Sequence, residues 1–458
     1  MIPINSTKSA LEALEHEDAG VRYHGAWWLG KHRAFEAVPK LVECLKDERE
    51  VTSAGGYPLR RQAARSLGMI RDESCVQALL ETLETNDVQL HEATLRALIE
   101  IKSDQCSSSL ISYLDKDIYN KPVEALIEAL ASLGIWQVSE KIKPFLQSDS
   151  ERVVSSAASF FFCCTGDTNY LDQVAGLLRH ENRFVRQSAA FDLARIGTLA
   201  AAEPILAANI PNNVKMYAIR EILSDSLPNS TKRENNQEPQ NEEVHDSLFR
   251  TLDELTRENF AGNLLIDQDI QKSTNPEQTL SSKAELLSNA FKRLGSPSLM
   301  EREQGIKLLV NSPESIKEDL HNLYFSESDQ DIKMGLVKVM AKLKNSLYVP
   351  ALIDAVGVEI GNHCQGNIRR VAACALGDID WVHQADRQSL TNTIDKLSWT
   401  LQYPDDWGLR YSACIALEGI SNTQAKDLLI QTSQRETDPV ISRRVNIALS
   451  RMTINNNL

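Results

Sequence analysis

The chain has 458 residues, 42% of them apolar and 24% charged, a balance that fills a core and a length that suits several domains or one extended repeat array. Its 49 Lys plus Arg face 63 Asp plus Glu, a formal charge of −14, which argues against the basic footprint of a nucleic-acid binder. No uninterrupted apolar run approaches the roughly 20 residues that span a bilayer, so no membrane insertion is expected.

The opening residues, Met1 to Ser6, lack the basic and apolar regions of a secretory signal. Seven of the eight cysteines (Cys44, Cys75, Cys106, Cys163, Cys164, Cys374 and Cys414) fall within helical patterns, and only Cys364 lies in a polar, Gly-flanked stretch. With no CxxC spacing, the pattern predicts free thiols in a reducing, cytoplasmic protein.

Taken in chain order, one signature recurs: a basic residue, an Ala-rich apolar period, then Leu-Gly or Ile-Gly. It begins as VRYHGAWWLG at 21–30 and returns as LRRQAARSLG at 59–68 and from Val185 to Gly197. Later copies run from Ile368 to Gly377, from Leu409 to Ile420, and from Ser442. Between them lie second helices such as Ala37 to Leu45. Paired helices repeating at about 30 to 45 residues predict an all-α fold, a HEAT- or armadillo-like solenoid. The glycine after each copy suits a left-handed helix stop.

Spacing is uneven. The interval from Arg22 to Arg61 is longer than those from Arg61 to Glu92 and Glu92 to Glu124, because of a polar segment from Glu48 to Pro58. Similar insertions precede Arg370 and Arg410, and in a solenoid they map to one face. From Ser226 to Val244 the chain is too polar to bury anything, and a second polar stretch runs from Asp267 to Ser282. A helix is expected over 248–265 between them. The expected organisation is a first lobe at 1–225, a linker region at 226–281 and a second lobe at 282–458.

Two segments, Tyr23-His24-Gly25-Ala26-Trp27-Trp28 and Gly55-Gly56-Tyr57-Pro58-Leu59-Arg60-Arg61, make the first lobe resemble the E subunits of the E/F-type phycobilin lyases. His24-Gly25 departs from the Tyr-Tyr-Ala-Ala usual before the Trp pair. The second lobe resembles the matching F subunit, and its Asn362-His363-Cys364-Gln365-Gly366-Asn367 is similar to the hexapeptide of family members that also isomerise the bilin. Both lobes on one chain resemble the family's fused lyase-isomerases. The resemblance implies attachment of phycoerythrobilin or phycocyanobilin to a cysteine of a phycobiliprotein α-subunit, phycocyanin above all, near the phycobilisome, with isomerisation to phycourobilin. It also implies bilin contacts at Tyr57, Asn362, Gln365 and Asn367.

Such an isomerisation delivers one proton and removes another, so paired acid–base groups are expected, with no metal and no prosthetic cofactor. His363 and Cys364 fit, the histidine titrating near neutrality and the thiol lying before a helix N-terminus that Asn367 would cap. The other reading makes the hexapeptide a tight turn built on Gly366. Tyr23, Trp27, Trp28 and Trp407 are candidates to stack on the pyrroles, although one of two adjacent tryptophans is expected in the core. Asp405 and Asp406 either accept pyrrole N–H bonds or cap a helix. Arg22, Arg33, Arg60, Arg61, Arg370 and Arg410 are candidates for the two propionates, against a structural pairing with neighbouring repeats.

Overall fold

The computed structural model describes residues 4–53, 55–227, 241–258, 282–357, 366–383, 386–402 and 406–455. The described residues are helical, without a strand, and the chain divides into two compact units, 1–210 and 211–458.

In the first unit α1 (Thr7–Ala13) leads into six helix pairs. These are α2 (Ala19–Lys31) with α3 (Val38–Cys44), α4 (Pro58–Ile70) with α5 (Val76–Thr82), and α6 (Val88–Ile101) with α7 (Ser107–Asp115). Then come α8 (Val123–Ser132) with α9 (Ser139–Ile142), α10 (Glu151–Thr165) with α11 (Thr168–Gly176), and α12 (Arg183–Ile196) with α13 (Ala202–Ala207). The even-numbered helices stack in a row, each on the next. Asp or Asn starts several of them: the carboxylates of Asp18 and Asp87 accept the N–H of Val21 and Leu90, each at 3.1 Å.

The second unit contains α14 (Asn212–Ser226), α15 (Asn241–Thr256), α16 (Lys283–Leu294), α17 (Leu299–Val310), α18 (Glu314–Lys317), α19 (Leu320–Ser326), α20 (Gln330–Leu343) and α21 (Val349–Val356). It continues with α22 (Gly366–Gly377), α23 (Arg387–Leu401), α24 (Trp407–Ile420), α25 (Thr423–Arg435) and α26 (Pro439–Asn455). Here α17, α20, α22, α24 and α26 form the row.

Three expectations change. The division falls before α14, not after it, because α14 packs on α15 and α26 and its Arg220 donates to Asp438 at 2.6 Å. The helix expected over 248–265 starts earlier, at Asn241. Its polar first turn is held by charge, Glu242 meeting Arg443 at 3.1 Å, while Leu248, Phe249, Leu252 and Leu255 bury the other face. Finally, most signature glycines do not end helices. Gly30, Gly68, Gly377 and Gly419 lie inside or at the last turn of theirs, where successive helices of a row touch: a Cβ on Gly377 would lie 2.3 Å from Ala416 Cα. Gly197, at φ +71°, is the left-handed stop the pattern promised, and Arg71, Lys102 and Lys344 take that conformation elsewhere.

The signature arginines have a common structural task. Arg22 Nη1 donates to the carbonyls of His16 and Glu17 at 2.8 and 2.6 Å. Arg186 Nη1 does the same to His180 and Glu181 at 2.7 and 2.8 Å. In these two repeats the arginine thus closes two carbonyls of the turn before its helix.

Candidate functional site

The insertion expected on one face of the first unit builds a groove of about 560 Å³. Leu45, Lys46, Glu48 and Val51 line one side, Tyr57 and Arg60 of the next repeat another, and Ala78, Glu81, Thr85 and Asp87 the remainder. Its size lies in the range of small-molecule sites. The Tyr57 ring is backed by the Arg60 guanidinium, 4.3 Å from its centroid.

Arg60 itself is not available for a propionate as expected. It is 6% exposed, with Nε donating to the Asp47 carbonyl at 2.8 Å and Nη2 to Glu48 at 2.7 Å. It fixes the groove wall and the tyrosine. Arg61 donates to Gln89, and Arg33 is exposed in a left-handed turn after α2. Lys46, Glu81 and Asp87 were missed by sequence reasoning, which searched helix starts for arginines and overlooked the turns before them and the end of α5, where Glu81 lies.

The two tryptophans part ways, as adjacent helix positions must. Trp28 is 7% exposed and stacked on His32, centroids 3.8 Å apart, so its expected role as a bilin platform is replaced by one in the core. Tyr23 and Trp27, one turn apart on α2, stay half-buried.

In the second unit the first turns of α22 and α24 meet. Arg370 donates to Asn367 Oδ1, and its Nη1 lies 3.8 Å from Asp406 Oδ1. Asp406 caps α24, accepting the Leu409 N–H at 2.9 Å. Helix α22 starts at Gly366, so Asn367 sits inside its first turn and does not cap it. Trp407 carries Arg220 over its ring at 5.4 Å, leaving one face for any further stacking. Arg410 pairs with Glu436 at 3.2 Å, both groups nearly buried, which makes it a structural tie. Behind this cluster Arg369 donates to the Val356 carbonyl at 2.7 Å and Lys396 to that of Gly357 at 3.0 Å, securing the turn after α21. Asn362, His363, Cys364, Gln365 and Asp405 lie outside the described residues.

Five thiols, Cys44, Cys75, Cys106, Cys374 and Cys414, are buried, whereas Cys163 is exposed. Burial pushes the first three up to about 11 and the last two to about 12, so they remain protonated at neutral pH. Among the described residues no cluster of His, Cys, Asp or Glu could hold a metal, and no helix is long and apolar enough to cross a membrane.

The model of the PBS lyase HEAT-like repeat matches residues 59–85 and 185–208, which are the pairs α4–α5 and α12–α13. The bilin biosynthesis protein PecE of Mastigocladus laminosus is 40% identical over 258 residues, covering 55% of this chain and 96% of that protein. The chain belongs to the E/F-type phycobilin lyase family. Within the family it is also 35% identical over 231 residues to the phycocyanobilin lyase subunit alpha of Nostoc sp. (strain PCC 7120 / SAG 25.82 / UTEX 2576), covering 48% of this chain and 84% of that one. Among solved structures, the complex of CpcE and CpcF of phycocyanin lyase from Nostoc sp. PCC7120 matches at 31% identity with a TM-score of 0.48, over 55% of this chain and 96% of that chain. This lyase-family chain is therefore nearly twice as long as the stretch that these relatives cover.

Proposed function

We propose that the chain is a bilin lyase-isomerase that joins phycoerythrobilin to a cysteine of a phycobiliprotein α-subunit, that of phycocyanin, and converts it to phycourobilin. Phycocyanobilin would obey the same chemistry. The observation that carries the lyase reading is the 40% identity across 96% of a bilin biosynthesis protein. The groove beside Tyr57 adds a seat of suitable volume with an arginine-backed aromatic face.

The attachment adds the acceptor thiol across the ethylidene group of ring A. A carbon–sulfur bond forms at the exocyclic carbon, the displaced π electrons enter the tetrapyrrole, and the tetrapyrrole takes up one proton. The lyase supplies the seat and the polarisation; the nucleophile comes from the acceptor. Its own buried thiols, raised to about 11 or 12, do not compete for the bilin.

Isomerisation then moves a double bond from the bridging methine into ring A, one proton arriving at the methine carbon and one leaving the ring. No electrons are lost, so no oxidant or reductant is required. His363 and Cys364 are the proposed proton carriers, matched in type to a transfer near neutral pH. Co-expression with a bilin source and the acceptor subunit tests the proposal. A chromophore that survives denaturation supports the lyase, and its blue shift from the supplied bilin supports the isomerase. Covalent product without the shift would leave a lyase alone, and tight but non-covalent binding would make the chain a bilin chaperone.

A further inference from the structure

The charged side chains lining the groove of the first unit are Lys46, Glu48, Arg60, Glu81 and Asp87, and three of them are committed to its walls. Arg60 donates to Glu48 at 2.7 Å and to the Asp47 carbonyl at 2.8 Å. The Asp87 carboxylate accepts the N–H of Leu90 at 3.1 Å and that of Tyr57 at 3.3 Å, which ties the inserted segment to the next repeat. Lys46 and Glu81 remain.

These two meet only each other. Lys46 Nζ lies 3.9 Å from Glu81 Oε2, beyond hydrogen-bond length, and the side chains are 75% and 54% exposed. An ion pair so open to water is worth little, so another carboxylate can take the place of Glu81 at small cost. The lysine is nonetheless fixed at its base, because its carbonyl accepts from Arg60 Nη2 at 3.3 Å. The same guanidinium backs the Tyr57 ring. One arginine therefore sets both the aromatic face of the groove and the backbone from which its one uncommitted cation, among the described residues, extends.

Resting on the bilin reading above, we infer that Lys46 takes one propionate of the bilin, displacing Glu81, while a pyrrole lies on Tyr57. Lysine suits this exchange, as a point charge on a flexible stem with no geometry to match. The propionate expected at Arg60 moves to the lysine that Arg60 positions. Every other charge on the lining is acidic or already paired, so the groove has a single propionate seat. The chain carries a net charge of −14, whose field repels a dianion. A preference for the free acid over its ester thus requires a local cation.

Absorbance titration of the full chain with phycoerythrobilin and with its dimethyl ester, at low ionic strength, tests this. The wild-type chain should bind the diacid about fivefold more tightly than the ester, the scale of one exposed ion pair. Lys46→Met should abolish that preference with the circular dichroism unchanged, and Lys46→Arg should keep it. Glu81→Gln should widen it, since the propionate then has no carboxylate to displace. A pair that merely braced the groove would instead weaken both ligands alike in both variants. No preference in the wild type, its persistence in Lys46→Met, or its narrowing in Glu81→Gln overturns the propionate seat while bilin binding itself stands. Failure of the wild type to bind either compound overturns the bilin reading and the seat that rests on it.

Discussion

Arg444 of α26 meets Asp253 of α15 through two parallel bonds, Nε to Oδ1 at 2.9 Å and Nη2 to Oδ2 at 3.0 Å. The Tyr411 hydroxyl donates to the same Oδ1 at 2.8 Å, and Arg444 is 2% exposed. Glu418 Oε2 also lies 2.5 Å from Arg444 Nη1, so removing Asp253 leaves the buried guanidinium one counter-charge but strips it and Tyr411 of three hydrogen bonds. Asp253→Ala should therefore cost about 3 kcal/mol. The loss should appear as an earlier denaturant transition of the second unit. A variant that unfolds with the wild-type midpoint would show that α15 contributes little there.

Helical glycines in this fold divide into two kinds with opposite expected signs. Gly377 has the Ala416 Cα 2.3 Å from where its Cβ would be, and Gly176 has nothing within 4 Å. Gly377→Ala must push α22 and α24 apart and should destabilise by about 1–3 kcal/mol despite the better helix former. Gly176→Ala should stabilise by about 1 kcal/mol. Thermal unfolding of the two variants checks both; the same sign for both would refute the close-approach account.

Asp192 supplies a pH dependence. It is completely buried on α12, where Ser155 donates to it and Arg195 Nη1 reaches Oδ1 at 2.8 Å. Burial raises its pKa from 3.8 to about 6, with the nearby Glu128 adding to the rise and Arg195 opposing it. A carboxyl with a raised folded pKa favours the native state when protonated. Its contribution is complete below the unfolded value and lost as pH climbs through about 6. Asp192→Asn should thus gain on the wild type by about 2 kcal/mol between pH 4 and pH 7, read from urea midpoints. A difference that is flat across that range would contradict it.

Thiol reactivity follows burial. Alkylation of the native chain at pH 8 should label Cys163, which is exposed, and spare Cys44, Cys75, Cys106, Cys374 and Cys414 until the chain unfolds. Peptide mass mapping identifies the modified positions. Rapid native labelling of any of the five would mean that the helix rows open far more readily than their packing implies.

Local pattern made the repeats legible, since the signature from Val21 to Gly30 and its copies encode both helix period and close contact. The same pattern misled over Gly377, because a glycine that ends a helix and one that admits a neighbour look alike in one dimension. Arg60 and Arg410 looked like ligand arginines for a related reason: their partners, the Asp47 carbonyl and Glu436, are assigned by the fold. The packing of α14 and α15 within the second unit rests on pairs as distant as Arg220–Asp438 and Arg444–Asp253, which no local window contains. The groove was half visible, as an insertion before Tyr57, while its other wall came from Glu81 at the end of α5 and Asp87 in the turn before α6, neither of which carries the signature.

The most direct test of the account is the absorption spectrum of the denatured chromopeptide formed when the full chain, phycoerythrobilin and the phycocyanin α-subunit react together, compared with that from Cys364→Ala and His363→Ala chains. The account predicts a covalent, blue-shifted phycourobilin peptide from the wild type and an attached but unshifted one from the variants. A blue-shifted product formed at the wild-type rate by either variant, or no covalent product from the wild type, would contradict it.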